Sequence, residues 1–433
     1  MFSVEEKIEH LKKLGFTGDL TEVEKMYAGE KFNPQDPNYQ KLIKMSQDLC
    51  DEFSQLSAKL NNESEIVRNV AKRRKAEILD ILFPGHGPIF GGRDGLSTVI
   101  GMVNIVGFTY LNGPVTFNPS SVVNLGYYSW GGSQFTVFGG ELKLDENGMA
   151  KTSTINIEDD TVVYAYSKIE DGVTVPKRCV VGMGSCVTKQ SKMKPDTIIV
   201  SKREENKVLP ACSIKGIAKG YKSDSIDLPF KRSKKEVQEI VEFVKTLGID
   251  GDFTEFKKSL NNEVYNCLDP VTSQIFDLTH NLCSEYNYGN PTPERKQEII
   301  DTLFFKHGKN FKIGDYIIVD ILGQVEVGDN VTIGNNVALN GNICIGDNVT
   351  IDDNVMLQSI GHPVYYEDRR LPESGPLNVA NTEAGIYVCD NLKLAKGTRV
   401  GPNTRVDHNT EENELISRSK IVTEFGDEIY ITL

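Results

Sequence analysis

From Ile321 onward every sixth residue is aliphatic: Ile321, Val327, Ile333, Leu339, Ile345, Ile351 and Leu357. Four places after most of these stands a second small apolar residue: Val331, Val337, Ile343, Val349 and Val355. Between the two series stands asparagine: Asn330, Asn336, Asn342, Asn348 and Asn354. Neither a helix, with 3.6 residues per turn, nor a flat strand, with two, repeats every six. A six-residue period fits a chain that turns one corner per repeat, so that three repeats, about 18 residues, close a triangular coil. Stacked coils place each aliphatic residue over its equivalent in the coil below. The asparagines fall near the corners, where their short amides bond locally and tolerate left-handed backbone. Residues 321 to 357 are therefore expected to form a hexapeptide-repeat parallel β-helix, stacked coil on coil.

The chain also repeats itself on a longer scale. Leu14-Gly-Phe-Thr-Gly-Asp-Leu-Thr-Glu22 matches Leu247-Gly-Ile-Asp-Gly-Asp-Phe-Thr-Glu255, an offset of 233 (247 − 14). Asp36-Pro37 and Asp269-Pro270 keep it, as do Leu49-Cys50 and Leu282-Cys283. Glu77 to Phe83 then matches Glu298 to Phe304, and His86-Gly87 matches His307-Gly308, at an offset of 221 (298 − 77). Preserved offsets over so many positions indicate two tandem copies of one plan. Each copy opens with helices: 37–60 and 64–82, then 270–286 and 293–305, carry apolar residues at helical spacing, with an aspartate N-cap and a proline in the first turn at Pro37 and Pro270. His86, His280 and His307 lie in or beside these helices and are read as structural.

The first copy carries the six-residue period more faintly, as Val99, Ile105, Leu111, Phe117, Val123 and then Ile157, Val163, Ile169, Val175, Val181, Val187. The second resumes with Val388, Leu394, Val400 and Val406. Interruptions are expected at about 124–154 and 358–385, and loops thrown out of a solenoid often carry function. The organisation predicts a helical segment over 1–90, a degenerate β-helix over 91–214, a linker over 215–235, a second helical segment over 236–308 and a β-helix over 309–433.

Charge narrows the function. The net charge of −13 argues against an electrostatic grip on nucleic acid or an anionic membrane. The basic run Lys231, Arg232, Lys234, Lys235 is read as a solvated linker. None of the eight cysteines forms a CxxC pair, so free thiols in a reducing cytoplasm are expected. The N-terminus lacks the apolar core of a signal peptide, and no apolar run approaches a membrane span. His362 and His408 have no further ligands at metal-site spacing, so no metal is expected.

The second interruption reads Ser359-Ile-Gly-His-Pro-Val-Tyr-Tyr-Glu-Asp-Arg-Arg370. A helical start with Ala28-Gly-Glu-Lys-Phe32 and Asp36-Pro37, asparagine-rich coils, Ile345-Gly-Asp-Asn-Val349 and the Gly361-His362-Pro363-Val364 loop together resemble the maltose and galactoside O-acetyltransferase family, present as two diverged copies. The resemblance implies a mainly β fold: two left-handed parallel β-helix domains, each preceded by an α-helical segment. Left-handed coils would be an exception to the usual right-handed crossover. It implies a threefold homo-oligomer with sites between prisms. It also implies acetyl transfer from acetyl-CoA, as co-substrate, to a sugar hydroxyl, with His362 as general base. An alcohol is a poor nucleophile until its proton is removed, and a neutral histidine can do this near neutral pH. Glu367 or Asp368 could orient it.

The remaining site residues are carried over singly. Gly184-Ser-Cys-Val-Thr188-Lys189 resembles the family's terminal coil, which implies that Thr188 and Lys189 lie beside CoA. Tyr387 stands for a family tryptophan beside the CoA arm, with Gly385 next to it, while a following glycine becomes Cys389. The resemblance also implies that Asn336 and Tyr365 lie near the acceptor, although the ladder already accounts for Asn336. The copies then differ. The stretch taken as the first copy's equivalent loop, Asn124 to Phe135, has no histidine, so this copy is expected to be catalytically dead. The stretch taken as the second copy's counterpart of the CoA coil is Asp407-His-Asn-Thr-Glu-Glu412, whose carboxylates would repel phosphates. Two readings follow: a cytoplasmic acetyltransferase, or a pseudoenzyme that keeps the scaffold for binding or assembly.

Overall fold

The computed structural model of the chain describes residues 2–61, 64–87, 90–92, 95–111, 113–131, 136–202, 205–210, 232–361, 379–382, 386–401, 404–416, 420–422 and 428–430. The chain forms two compact units, Met1–Ala211 and Cys212–Leu433. Among the described residues the first holds α1 (Val4–Lys13), α2 (Thr21–Ala28), α3 (Pro37–Ala58) and α4 (Glu65–Leu82). The second holds α5 (Lys234–Thr246), α6 (Thr254–Leu260), α7 (Pro270–Tyr288) and α8 (Pro293–Leu303).

The helix ends follow from local chemistry. Asp36 accepts hydrogen bonds from the amides of Asn38 and Tyr39, and Asp269 from that of Thr272, each just ahead of a proline that needs no donor partner. The paired features recur at the sequence offsets. Arg74 makes a two-pronged bridge to Glu52 at 2.8 and 2.9 Å, and Arg295 makes the same bridge to Glu285 at 2.7 and 2.9 Å. His86 bonds Asp80 and the carbonyl of Gly87; His307 bonds Asp301 and the carbonyl of Gly308. These two histidines tie the ends of α4 and α8 to the chain that follows.

After the helices each unit coils. In the second unit three parallel sheets form the sides of a prism. One is five-stranded: Ile317–Val319, Val337–Asn340, Met356–Gln358, Arg399–Val400 and Leu415–Ile416. The other two have four strands each, and every pairing along all three is parallel. Val325 pairs with Ile343, three hexapeptides further along the chain, so one coil consists of three repeats. All seven aliphatic residues of the ladder from Ile321 to Leu357 are buried, as are Val331, Val337, Ile343, Val349 and Val355. A parallel β-helix is thus the architecture that the six-residue period requires.

The corners explain the polar residues. Asn330, Asn336, Asn348 and Asn354 all have φ between 55° and 60°, the left-handed region that asparagine tolerates. Their amides donate up the stack, Asn330 to Asn348 at 3.0 Å and Asn336 to Asn354 at 2.7 Å. The preceding aspartates cap the coil before: Asp347 accepts from the amide of Asp329, and Asp390 from that of Asp347. Asn342 departs from this pattern. At its corner Gly341 takes the positive φ, and the Asn342 side chain is fully buried under the helical part, donating to the Ser259 carbonyl at 2.9 Å and to Asn262 Oδ1 at 2.7 Å.

The first unit is built alike, with parallel sheets of four, five and seven strands, the last ending in an antiparallel hairpin. Both of its aliphatic series are buried. One expectation is corrected here. Residues 124 to 131 are not an interruption, because Ser121–Leu125 and Ser129–Gly131 are coil strands that pair in parallel on both sides. The coils there are longer than three hexapeptides, with Val103 paired to Val123 and Val115 to Thr136. A strict six-residue count loses register in coils of that length. The excursion is 139–152, between Thr136–Phe138 and Ser153–Ile157.

Candidate functional site

Both excursions leave the prism at the same place. Each follows the third strand of a five-stranded sheet and precedes the third strand of a four-stranded one. Each is also clasped by the helical part of its own unit. In the first, Lys31–Phe32 pairs antiparallel with Ala150–Lys151. In the second, Val264–Asn266 pairs antiparallel with Val379–Thr382. The second unit adds one more strand: Ile360–Gly361 pairs antiparallel with the other edge of Val379–Thr382, placing Gly361 opposite Asn381. His362 is the next residue in the chain. His362 itself, Tyr365, Glu367, Asp368 and Gly385 lie outside the described residues. The corrected loop of the first unit, Gly139 to Thr152, also contains no histidine.

The root of this excursion is buried and polar. The Ser359 amide donates to the Asn340 carbonyl at 2.8 Å, and the Gln358 amide group donates to the Ile360 carbonyl at 3.0 Å. Asn340 Oδ1, Gln358 Oε1 and Gln324 Oε1 are buried acceptors without a hydrogen-bond partner among the described residues. Buried orphan acceptors are rare and costly, and they cluster where function has constrained a site. Gly341, with φ of +83°, makes the approach possible, since a Cβ there would stand 2.4 Å from Ser359 Oγ. Gly341→Ala is therefore expected to cost about 1–3 kcal/mol; urea titration of the full chain should show a transition at lower denaturant, and an unchanged midpoint would mean the corner is not so constrained.

Beside this root runs an outward-facing row of one residue per coil: Glu326, Cys344, Tyr387 and Arg405, held in register. The Arg405 guanidinium lies 5.0 Å from the centre of the Tyr387 ring. Burial, and next the nearby Glu326, push the Cys344 thiol up to about 11, so it is not a poised thiolate. Behind the row sits Arg232. The basic run suggests a solvated linker, but this side chain is fully buried. It donates to Glu326 at 3.0 Å, to the Gln324 carbonyl at 2.8 Å and to Asn342 Oδ1. Lys234 and Lys235, in the first turn of α5, are exposed as expected. The reason for the split is geometric: the residue just ahead of the Ser233 cap lies against the prism, and its long fork of donors reaches three acceptors there.

The other sequence candidates are dispersed. Asn336 is a rung of the corner ladder, donating to Asn354. In the first unit, Thr188 accepts from the Gln190 amide and caps a short turn, Lys189–Ser191, while Lys189 is exposed. A second expectation is corrected here. Cys186–Val187, just before Thr188, is the fifth strand of its five-stranded sheet. The fifth strand of the corresponding sheet in the second unit is Leu415–Ile416, and the two residues that follow it in sequence are Ser417 and Arg418. The counterpart of Gly184–Lys189 is thus Asn413 to Arg418, one hexapeptide beyond the acidic stretch at 407–412. A six-residue repeat makes a slip of six the easiest error to commit, because the phase within the repeat is unchanged.

Within the acidic stretch, His408 stands between Asp407, at 3.2 Å, and Glu414, at 3.4 Å. These bonds, that to Asp407 foremost, raise its pKa above the usual 6.5. Its contribution to stability is therefore present below the unfolded value and lost as the pH rises through the higher folded one. Imidazole resonances of His408 should titrate with a midpoint above 6.5, moving down in Glu414→Gln; a wild-type midpoint at or below the usual value would contradict the pairing. Among the described residues no cluster of metal-ligating side chains is found, and no helix is long and apolar enough to cross a membrane.

No protein-family model and no curated protein matches the chain. Solved structures do match in part. A hexapeptide-repeat acetyltransferase from Vibrio cholerae, determined with acetyl coenzyme A, is 23% identical with a TM-score of 0.32, over 43% of this chain and 96% of its own. A maltose O-acetyltransferase from Clostridium difficile is 18% identical with a TM-score of 0.26, over 42% and 98%. A galactoside acetyltransferase in complex with coenzyme A is 16% identical with a TM-score of 0.27, over 38% and 86%.

Proposed function

We propose that the chain is an acetyl-CoA-dependent O-acetyltransferase acting on a sugar hydroxyl, built as two diverged tandem copies with left-handed coils. The second copy is catalytic, and the first lacks a base. The observation that carries this reading is the three-stranded clasp Val264–Asn266, Val379–Thr382 and Ile360–Gly361. It fixes the backbone up to the residue before His362, at the point where the excursion leaves the prism. A general base must be held to within a hydrogen bond of the proton it takes, and the pairing of Ile360–Gly361 with Val379–Thr382, itself held on its other edge by Val264–Asn266, supplies that restraint.

In the reaction His362 takes the proton of the acceptor hydroxyl as its oxygen attacks the thioester carbonyl carbon. The tetrahedral intermediate collapses with loss of the C–S bond. The leaving thiolate takes the proton back from the imidazolium, so no acyl-enzyme forms. The corrected pairing of the last coils supports CoA binding in the second copy, because a hydroxyl and a cation, Ser417 and Arg418, follow the strand where the first copy has Thr188 and Lys189. The acidic residues 407–412, the main support for a scaffold without activity, belong to the previous side of the prism.

The test is thiol release from acetyl-CoA against a panel of mono- and disaccharides, with CoA binding measured by calorimetry. Release with at least one sugar supports the reading. No release with any acceptor, together with no CoA binding, favours the scaffold.

A further inference from the structure

Tyr387 and Arg405 form a pair that no part of the fold requires. Ile386, Val388 and Val406 point into the core, so Tyr387 and Arg405, between and beside them, point out from adjacent coils. The guanidinium carbon stands 5.0 Å over the ring. A cation–π contact holds the guanidinium over the ring without using any of its N–H donors. Nearby carboxylates are otherwise engaged: Asp407 is bonded to His408, and Asp390 accepts the Asp347 amide. Further along the row, Glu326 is matched by Arg232 and by Lys306 at 3.6 Å. Among the described residues, Arg405 has no carboxylate within ion-pairing distance, in a chain of net charge −13. A cation held over an aromatic ring, with no carboxylate partner among the described residues, is placed to receive an anion.

We propose that Arg405 binds a phosphate of CoA and that Tyr387 carries it as a platform, with the acyl arm running along the Tyr387 row. This rests on the acetyltransferase reading. The two N–H donors of the fork match two phosphate oxygens, a geometry that a lysine cannot reproduce.

Calorimetry on the full chain with CoA and with phosphate-free pantetheine tests it. Arg405→Ala should weaken CoA about tenfold or more and leave pantetheine unchanged, and Arg405→Lys should fall between. Equal losses for both ligands would overturn the proposal, since Arg405 would then merely hold the ring. No change for either would also overturn it. If wild-type protein binds no CoA, the acetyltransferase reading itself fails, an outcome distinct from failure of Arg405 alone.

Discussion

Arg232→Ala is expected to lower the stability of the second unit by about 3 kcal/mol, at the lower end of what breaking a buried ion pair costs. The charge removed is not the main loss. Its partners stay behind: Asn342 Oδ1 loses its donor in a site where the Arg232 side chain is fully buried, the Gln324 carbonyl keeps only the Ile343 amide, and Glu326 loses its nearest cation. Lys306, 3.6 Å from Glu326, takes up part of that charge, which limits the loss. Desolvation depresses the guanidinium's pKa and Glu326 opposes this, yet arginine stays charged at any working pH. Urea unfolding of the full chain should move the second-unit transition, while Lys234→Ala and Lys235→Ala, at exposed positions of the same run, should each change it by less than about 0.5 kcal/mol. Equal small effects at all three positions would return Arg232 to the solvated linker.

The contrast between Arg232 and its neighbours marks how far the sequence could be read. Patterns with a period were legible. The ladder from Ile321 to Leu357, the aspartate caps before Pro37 and Pro270, and the corner asparagines all repeat, and repetition is visible without coordinates. What failed were single events against that background. Arg232 belongs to no repeat, and a run of four basic residues looks solvated until one is seen to face three acceptors. Asn342 sits at a ladder position but yields its corner to Gly341. The coils near 103–136 exceed three hexapeptides, so counting in sixes mistook 124–131, the end of one coil strand and the whole of the next, for the start of a loop. The pairing of 184–189 with 407–412 slipped by one hexapeptide for the opposite reason, an excess of regularity. Arg405 was within reach: it stands one full coil after Tyr387, in register with it, and each precedes a buried valine.

The catalytic reading leads to the largest expected effect. Removing a positioned general base costs typically 10²–10⁴ in rate. His362→Ala should therefore lose roughly 10²–10⁴ in kcat for thiol release while CoA affinity stays near the wild-type value, since the clasp at Ile360–Gly361 and the Tyr387 row do not depend on the imidazole. The wild-type rate should also fall as the pH is lowered, because a protonated imidazole cannot accept the hydroxyl proton. The first unit, with no histidine in Gly139 to Thr152, should not sustain the reaction when His362 is gone.

The most direct measurement is the steady-state rate of acetyl-CoA thiol release, with the best sugar acceptor at saturation, for wild type and His362→Asn in the full chain. Wild-type turnover that drops by roughly 10²–10⁴ in the variant, with CoA binding retained, is the predicted result. Equal rates in the two proteins would contradict the account.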